Sequence, residues 1–245
     1  MVSLLGLFVH FYASENLTYN LIIAATAEEE SSGPNGLNSL LKDLPNINVA
    51  IVGEPTQMQL AIAEKGLVVF DAVVKGTAGH AAHPNNNNPI LKSMDVMQWF
   101  QNLQFDKVSD TLGPVKLTIT QINAGSQHNV VPSQVNLVLD VRVNGCYTNQ
   151  EIADIVSQAP CEVTPRSLRL KSSSIDKKHP LVVAGIAMGR NTYGSPTLSD
   201  QAALSCPSLK LGPGDSTRSH TADEFIYTDE IKEAVRFYIE SVSYT

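Results

Sequence analysis

The first 65 residues alternate between apolar segments and short polar breaks, a pattern typical of a strand–helix–strand unit. Apolar residues at helical spacing predict an opening helix over 4–11. Two short, continuously apolar runs at 21–26 and 49–52 predict buried strands of a parallel sheet, with a helix over 37–44 between them. Because both predicted strands end in acidic residues, this edge of the sheet is the expected place for an active site.

The pattern changes at about residue 66. Apolar and polar residues alternate over 115–122 and 135–143, which indicates half-exposed antiparallel strands. The predicted elements are strands at 67–75, 115–122, 135–143 and 161–170, and helices at 89–105 and 149–158. Their order is β-α-β-β-α-β, the ferredoxin-like order. The segment 66–171 is therefore predicted to be a compact α+β insertion.

The α/β character returns after the insertion. A helix over 180–190, a short strand over 208–211 and a closing helix over 229–242 are predicted there. The fold class is therefore α/β, with residues 1–65 and 172–245 forming one domain and the insertion forming another.

Composition excludes several classes of protein. Of 245 residues, 43% are hydrophobic and 17% charged, which is ordinary globular usage. A net charge of −7 disfavours nucleic-acid binding, and no apolar run reaches the roughly 18 residues that span a membrane. The cysteines, Cys146, Cys161 and Cys206, are widely spaced and odd in number, so a reducing cytoplasm is predicted.

Three consecutive glutamates, Glu28, Glu29 and Glu30, follow the first predicted strand. Neighbouring side chains at a strand end diverge, so one carboxylate can bind a metal while the next faces a bound water as general base. The alternative is a solvated acidic turn or a helix start that the helix dipole favours.

Two further residues extend this acidic group. Glu54 ends the next predicted strand, where Gly53 permits a sharp turn and Pro55 stiffens it. His220 lies in a Gly/Pro/Ser-rich loop, and the Thr221–Glu224 spacing predicts a capping box that opens a helical turn. A histidine beside several carboxylates is the nitrogen ligand that a zinc site tends to include, although a lone loop histidine is also a common solvated residue.

The insertion carries its own candidates. His80 and His83 have a His-x-x-His spacing in a glycine loop, but no third metal ligand is nearby in the sequence. Asn129 precedes a Val-Val-Pro segment in the same lobe, and Arg142 lies on a predicted strand. Arg142 can hold a carboxylate bidentately, and the alternative is a cation on an exposed sheet face.

Taken together, the motifs have a specific order along nearly the whole chain: ATAEEESSG, VGEPT, EKG with GTAGHAAHP, GSQHNVVP with LDVRV, and GPGDSTRSHTADEFI. In this order they resemble the dinuclear zinc amidohydrolases and peptidases typified by acetylornithine deacetylase and succinyl-diaminopimelate desuccinylase. The resemblance implies a zinc-peptidase-type mixed sheet with flanking helices, into which a ferredoxin-like lid and dimerisation domain is inserted.

The resemblance also implies roles for the acidic residues. Glu29 matches the general base of the family and Glu30 a metal ligand, with Glu28 in the place of the leading acid. Glu54 matches a ligand of the other metal, and His220 matches the histidine ligand of the C-terminal loop. Two Zn²⁺ ions are expected in the intact enzyme, and Co²⁺ can substitute.

In the insertion, the resemblance makes His80 the residue that reaches the partner's active site in a homodimer and stabilises the oxyanion. Asn129 and Arg142 match positions that contact substrate. Ser216 and Asp200 are candidates for the contacts that select the acyl group and the amine.

The sequence departs from the family pattern at its start. The family has a further histidine in an HxD motif and a bridging aspartate, both before the opening helix; here His10 lies inside that helix and no aspartate precedes Asp43. We therefore expect a fragment that lacks an N-terminal segment, or the product of a misplaced start codon, and a chain that alone is inactive.

The function that the resemblance implies is metal-dependent hydrolysis of an N-acylated amino acid in the cytoplasm. N-acetyl- or N-succinyl-ornithine, within arginine biosynthesis, is the first choice of substrate. The alternatives are a succinyl-diaminopimelate desuccinylase, and a dipeptidase or carboxypeptidase. Two non-catalytic roles remain open: an inactive fragment whose lid dimerises, and a substrate-binding protein.

Overall fold

A computed structural model of the protein describes residues 1–15, 17–31, 33 and 35–243. The chain divides into two compact units. We call Met1–Glu64 with Ser173–Thr245 the α/β unit, and Lys65–Ser172 the inserted unit. The assignment of the first unit as the catalytic domain stays a prediction.

Apart from the strand predicted over 21–26, the predicted helices and strands occur in the predicted order, with additional strands between them. The described helices are α1 (Val2–Phe11), α2 (Leu37–Leu41), α3 (Pro89–Asn102), α4 (Asn149–Val156), α5 (Pro180–Ala187) and α6 (Thr228–Ser243). The described strands are β1 (Ala50–Val52), β2 (Leu60–Glu64), β3 (Gly66–Lys75), β4 (Gly79–His80), β5 (Lys116–Ala124), β6 (Val130–Val131), β7 (Gln134–Val143), β8 (Glu162–Pro165), β9 (Ser173–Ser174), β10 (Thr192–Ser195) and β11 (Ser208–Lys210). The additional strands are β2, β4, β6, β9 and β10.

The α/β unit is built on a five-stranded mixed sheet. Strands β1, β11, β2 and β10 lie side by side in that order, and β9 pairs with β2. The pairs β1–β11 and β2–β10 are parallel, whereas β11 and β2 are antiparallel. Helix α1 packs on α6, and α5 contacts both α6 and β2. The predicted class, a mixed α/β sheet with flanking helices, is confirmed.

The core of this unit joins the sheet to α6. Leu60 and Leu209 from the sheet and Tyr238 from α6 are among its fully buried side chains. The buried Tyr238 hydroxyl donates a hydrogen bond to the Leu211 carbonyl, so its polar atom is satisfied inside the core. This contact holds α6 against the chain directly before the glycine loop that begins at Gly212.

The inserted unit has the predicted ferredoxin-like topology. Its four-stranded sheet has the order β5-β7-β3-β8, all antiparallel, and α3 and α4 pack against this sheet, while β4 and β6 form a separate two-stranded sheet. Every second residue of β3 is buried, as in a strand with one face against the core. Val68, Phe70, Val74, Leu137 and Leu139 are fully buried in the shared core. Strand β5 is an edge of this sheet.

The prediction of a strand over 21–26 is wrong. In the part of the chain that the structure describes, these residues form no strand, and Ile22 is 43% exposed. An apolar run becomes a strand only where another strand satisfies its backbone groups. The neighbouring strand β1 pairs with β11 and not with this segment. The segment that leads to the glutamates is therefore irregular chain.

Candidate active site

The acidic turn at Glu28–Glu30 separates its three carboxylates, as the sequence predicts. Glu28 has a left-handed backbone (φ 61°), and its carboxylate accepts hydrogen bonds from the Asn35 amide nitrogen (3.1 Å) and side chain (3.2 Å). Glu28 therefore stabilises the turn itself. Glu29 is half-buried and Glu30 exposed, so these two are available for chemistry. Ser32 of the ATAEEESSG motif lies outside the described residues.

Glu54 lies against the glycine loop of the C-terminal segment. A Cβ on Gly212 would lie 2.5 Å from the Glu54 carbonyl oxygen, so only glycine permits this approach. The Thr56 amide donates to the Gly212 carbonyl (3.1 Å) and joins the same two segments. Burial and, after it, the negative charge of Glu29 raise the pKa of Glu54 to about 7.

The imidazole of His220 lies close to the acidic turn. Its Nε2 lies 3.6 Å from Oε2 of Glu30, and its backbone is left-handed (φ 58°). The loop before it forms a 3-10 turn, Ser216–Arg218, which Asp215 caps by accepting from the Thr217 amide (2.9 Å). Ser216, a predicted substrate contact, is exposed in this turn.

The predicted capping box after His220 is wrong. The Thr221 hydroxyl donates to the Arg218 carbonyl (2.8 Å), and the Glu224 carboxylate accepts from the His220 amide (3.3 Å). A capping box would need the opposite pairing, in which Thr221 accepts from the Glu224 amide. These contacts close a turn around His220 instead of beginning a helix.

The four residues predicted for the acidic site therefore lie near one another in the α/β unit. Burial raises the pKa of the Glu29 carboxyl, and the charges of Glu30 and Asp200 raise it further. Lys210 and, to a smaller extent, His220 oppose that rise. These mutual effects show that Glu29, Glu30, Glu54 and His220 share one electrostatic environment.

A buried ion pair that the sequence analysis missed lies beside this group. Nζ of Lys210 is 3.0 Å from Oε2 of Glu64, and their side chains are 3% and 0% exposed. Burial raises the pKa of Glu64, while Lys210 and Ser199 oppose that rise. The signal was a lysine inside the predicted buried strand at 208–211, since a buried charge requires a partner.

In the inserted unit, His80 lies on β4, and Asn129 directly precedes the neighbouring strand β6. His80 of β4 pairs with Val130 of β6, and the Ala81 amide donates to the Asn129 carbonyl (2.9 Å). The Ala82 amide donates to Nδ1 of His80 (3.1 Å), which places the proton of the neutral ring on Nε2. His80 is exposed, so Nε2–H is a free donor to solvent or substrate.

The Arg142 guanidinium bonds to Asp140 of the same strand, β7. Its Nε and Nη2 donate to the two carboxylate oxygens of Asp140, at 2.8 and 2.9 Å. A substrate carboxylate would have to bind Nη1 or displace Asp140. Its assignment to substrate stays a prediction.

The donor set fits a divalent metal by its chemistry, and less well by its geometry. An imidazole and carboxylates are ligands that Zn²⁺ takes, and Glu30 and His220 already approach each other. A metal cation would also favour ionisation of the crowded Glu54 carboxyl. Among the described residues, however, no three His, Cys, Asp or Glu side chains are arranged so that they could hold one metal ion.

The described residues contain no helix that is both long and apolar enough to cross a bilayer.

Residues 62–162 match the family model of the M20 peptidase dimerisation domain. This match covers the core of the inserted unit.

Comparison with known proteins extends the match beyond the inserted unit. Succinyl-diaminopimelate desuccinylase 2 of Ruegeria sp. (strain TM1040) is 30% identical over 56% of this chain and 38% of its own length. A probable carboxypeptidase of Aspergillus flavus is 28% identical over 91% of this chain and 59% of its own. The chain thus spans less than two thirds of these curated relatives.

A solved structure shares the fold of the chain. The Bacillus subtilis YXEP protein, described as a dinuclear metal binding peptidase of the M20 family, has a TM-score of 0.71 and 16% identity over 98% of this chain and 69% of its own. The matched dimerisation domain, the relatives and this fold agree. Residues 62–162 therefore match an M20 peptidase dimerisation domain, and the chain as a whole shares the fold of this Bacillus subtilis protein.

Proposed function

We propose that the protein hydrolyses the amide bond of an N-acylated amino acid in a metal-dependent reaction. The observation that carries this proposal is the group of Glu29, Glu30, Glu54 and His220, which lie near one another in the α/β unit. The family supports a hydrolase, and the relatives named above include an amidohydrolase and a peptidase.

Glu30 and His220 would hold one metal ion and Glu54 a second, each with further ligands. We propose Zn²⁺, with Co²⁺ as a substitute. When bound, such ions lower the pKa of a water molecule and polarise the amide carbonyl. The negative charge around Glu54 supports this assignment, because carboxylates crowded together are stabilised by a cation.

Glu29 would act as the general base. Its raised pKa, caused first by burial and then by Glu30 and Asp200, brings it closer to neutral pH, where a base both accepts and returns a proton efficiently. It would take the proton of the attacking water and deliver it to the departing amine. Glu28 accepts hydrogen bonds from Asn35, and Glu30 lies near His220. Glu29 is therefore the glutamate of this turn that remains for proton transfer.

The inserted unit would supply contacts to substrate in a homodimer. His80 of one subunit would donate from Nε2 to the oxyanion that forms in the other subunit's site, and its contact with Ala82 keeps that proton on Nε2. Asn129 and Arg142 would contact the substrate, with Arg142 binding its carboxylate. Ser216 and Asp200 would select the acyl group and the amine.

The homodimer itself is proposed to form through the inserted unit. Its edge strand β5 exposes Ile122, and α3 exposes Leu91 and Met94. An unpaired strand edge next to apolar side chains favours association with a second sheet.

N-acetyl- or N-succinyl-ornithine, in arginine biosynthesis in the cytoplasm, remains our first choice of substrate. The desuccinylase and carboxypeptidase relatives favour two alternatives within the same chemistry: N-succinyl-diaminopimelate, and a dipeptide or C-terminally cleaved peptide. All of these substrates are amides of amino acids with a free carboxylate.

A non-catalytic role is the second candidate. The described residues lack a three-ligand metal group, which supports a chain that dimerises through its inserted unit without turnover. A substrate-binding protein would bind N-acyl amino acids tightly without hydrolysing them, and this binding would survive Glu29→Ala.

The test uses the protein expressed from its natural gene. Metal content is measured by mass spectrometry, and release of amine is followed with N-acetyl-ornithine, N-succinyl-ornithine, N-succinyl-diaminopimelate and dipeptides. We expect bound zinc and turnover of one of these, which chelation abolishes and Glu29→Gln reduces by several orders of magnitude. A metal-free dimer without turnover would overturn the proposal and support the non-catalytic role.

A further inference from the structure

The segment that carries Glu29 has no strand to hold it in place. Residues 21–27 are irregular in the described chain, although Glu29 needs a fixed position to act on a water molecule. A side-chain hydrogen bond joins this segment to Asp200 in the α/β unit: Oγ1 of Thr26 donates to Oδ2 of Asp200 at 3.1 Å. Thr26 lies three residues before Glu29.

Asp200 is in turn held by its neighbour Ser199. Asp200 begins the 3-10 turn Asp200–Ala203, and Ser199 caps this turn by accepting from the Gln201 amide (3.2 Å). The same Ser199 hydroxyl donates to Oε2 of Glu64 at 2.8 Å. Ser199 and Glu64 are both buried, so this link lies inside the unit.

Lys210 fixes the other end of the loop. Its Nζ donates to the carbonyl (2.9 Å) and hydroxyl (3.2 Å) of Thr197 and to Oγ of Ser195 (3.1 Å). It also forms the buried ion pair with Glu64. The pair thus holds the loop 195–199 at three points, and this loop ends at Asp200.

A requirement for stability alone does not explain such a pair. Burying two charges costs desolvation energy, and apolar residues of similar volume often give equal or greater stability. A buried pair does, however, impose one geometry on the groups that bond to it. Here those groups form a continuous path from the core to Thr26.

We propose that Lys210 and Glu64 are positioning residues that hold Glu29 in place through Ser199, Asp200 and Thr26. The proposal rests on the role of Glu29 as general base, and it adds two core residues that do not touch the substrate. Loss of any link in the path loosens the acidic turn.

The first test cuts the path at its outer end, where folding is least affected. Thr26→Val removes the hydroxyl and keeps the shape, Thr26→Ser keeps the hydroxyl, and Thr164→Val is a matched change on the exposed strand β8. Hydrogen–deuterium exchange over 24–31 is compared with kcat and KM. We expect Thr26→Val to speed exchange there at least about tenfold and to lower kcat about 10- to 100-fold, with KM changed less.

The second test replaces the pair by apolar residues in Lys210→Met/Glu64→Leu. We expect a folded protein whose residues 195–203 and 24–31 both exchange faster and whose kcat falls as in Thr26→Val. Thr26→Ser and Thr164→Val should behave as the wild type. If the double variant does not fold, the comparison of Thr26→Val with Thr26→Ser decides the question alone.

The two proposals fail in different ways. Unchanged exchange over 24–31 in Thr26→Val would overturn the positioning role, whatever the activity. A wild type that hydrolyses none of the substrates would overturn the proposed function, while the exchange comparison would still measure whether the path holds the turn.

Discussion

Nε2 of His220 lies 3.6 Å from Oε2 of Glu30, although both side chains are more than 70% exposed (75% and 79%). A contact of this kind between two exposed polar groups adds little stability, because water and salt screen it. Glu30 and His220 also lie near Glu29 and Glu54, whose clustered negative charge favours a bound cation. The Glu30 carboxylate and the His220 imidazole could both be ligands of such a cation.

We expect His220→Asn and Glu30→Gln each to weaken Zn²⁺ binding at least about tenfold, since even residues behind metal ligands have effects of this size. Competition with a chelating dye measures the affinity. His83→Asn, an exposed histidine of the inserted unit, is the control and should bind zinc as the wild type does. Equal affinity in all three variants would remove Glu30 and His220 from the ligand set.

Glu54 should make the metal-free protein less stable as the pH rises. Its pKa is raised from 4.5 to about 7, so the folded state holds a proton that the unfolded state releases. This contribution is complete below pH 4.5 and is lost as the pH rises through about 7. Glu54→Gln should therefore stabilise the chelated protein at pH 8 by about 1–3 kcal/mol and have little effect at pH 4.5.

Urea denaturation at the two pH values measures this difference. Glu240→Gln, an exposed change on α6, is the matched control. An equal effect of Glu54→Gln at both pH values would show that its ionisation is not linked to folding.

His80→Ala should reduce kcat about 100- to 1000-fold, the size of effect that the loss of one oxyanion donor has in other enzymes. Because His80 is exposed, the melting temperature should change little. Steady-state kinetics on the substrate identified above provides the measurement, with His83→Ala as the control. An increase in KM with kcat unchanged would assign His80 to binding of the ground state instead.

Charged residues on the proposed dimer surface should separate the subunits. Met94→Lys with Ile122→Lys places two positive charges on apolar residues that are 63% and 53% exposed on α3 and β5. Light scattering should show a monomer at concentrations where the wild type is a dimer. Val183→Lys on α5, 51% exposed in the α/β unit, should leave the dimer intact.

The inserted unit followed closely from the sequence because its signals are local. Alternation of apolar and polar residues over 135–143 indicates one buried face of a strand, and the structure has β7 there. The strand predicted over 67–75 is β3. Helical spacing over 89–105 predicted α3, which ends at Asn102. In such elements the same few residues determine both the secondary structure and the buried face.

The segment 21–26 shows where local patterns fail. Its apolar residues have the composition of a buried strand, but a strand is defined by its partner, and no partner pairs with it in the described chain. The capping box at Thr221 and Glu224 failed for a similar reason, since the same two side chains bond to Arg218 and His220 in a closed turn.

The sequence by itself determined most of the element order, the acidic and histidine residues, and the family resemblance, because these depend on residue type and spacing along the chain. Only the tertiary structure showed that Glu30 faces His220, that burial raises the pKa of Glu54, and that Lys210 pairs with Glu64. Burial and distance depend on residues far apart in the chain, such as 64 and 210, and a one-dimensional pattern contains neither quantity.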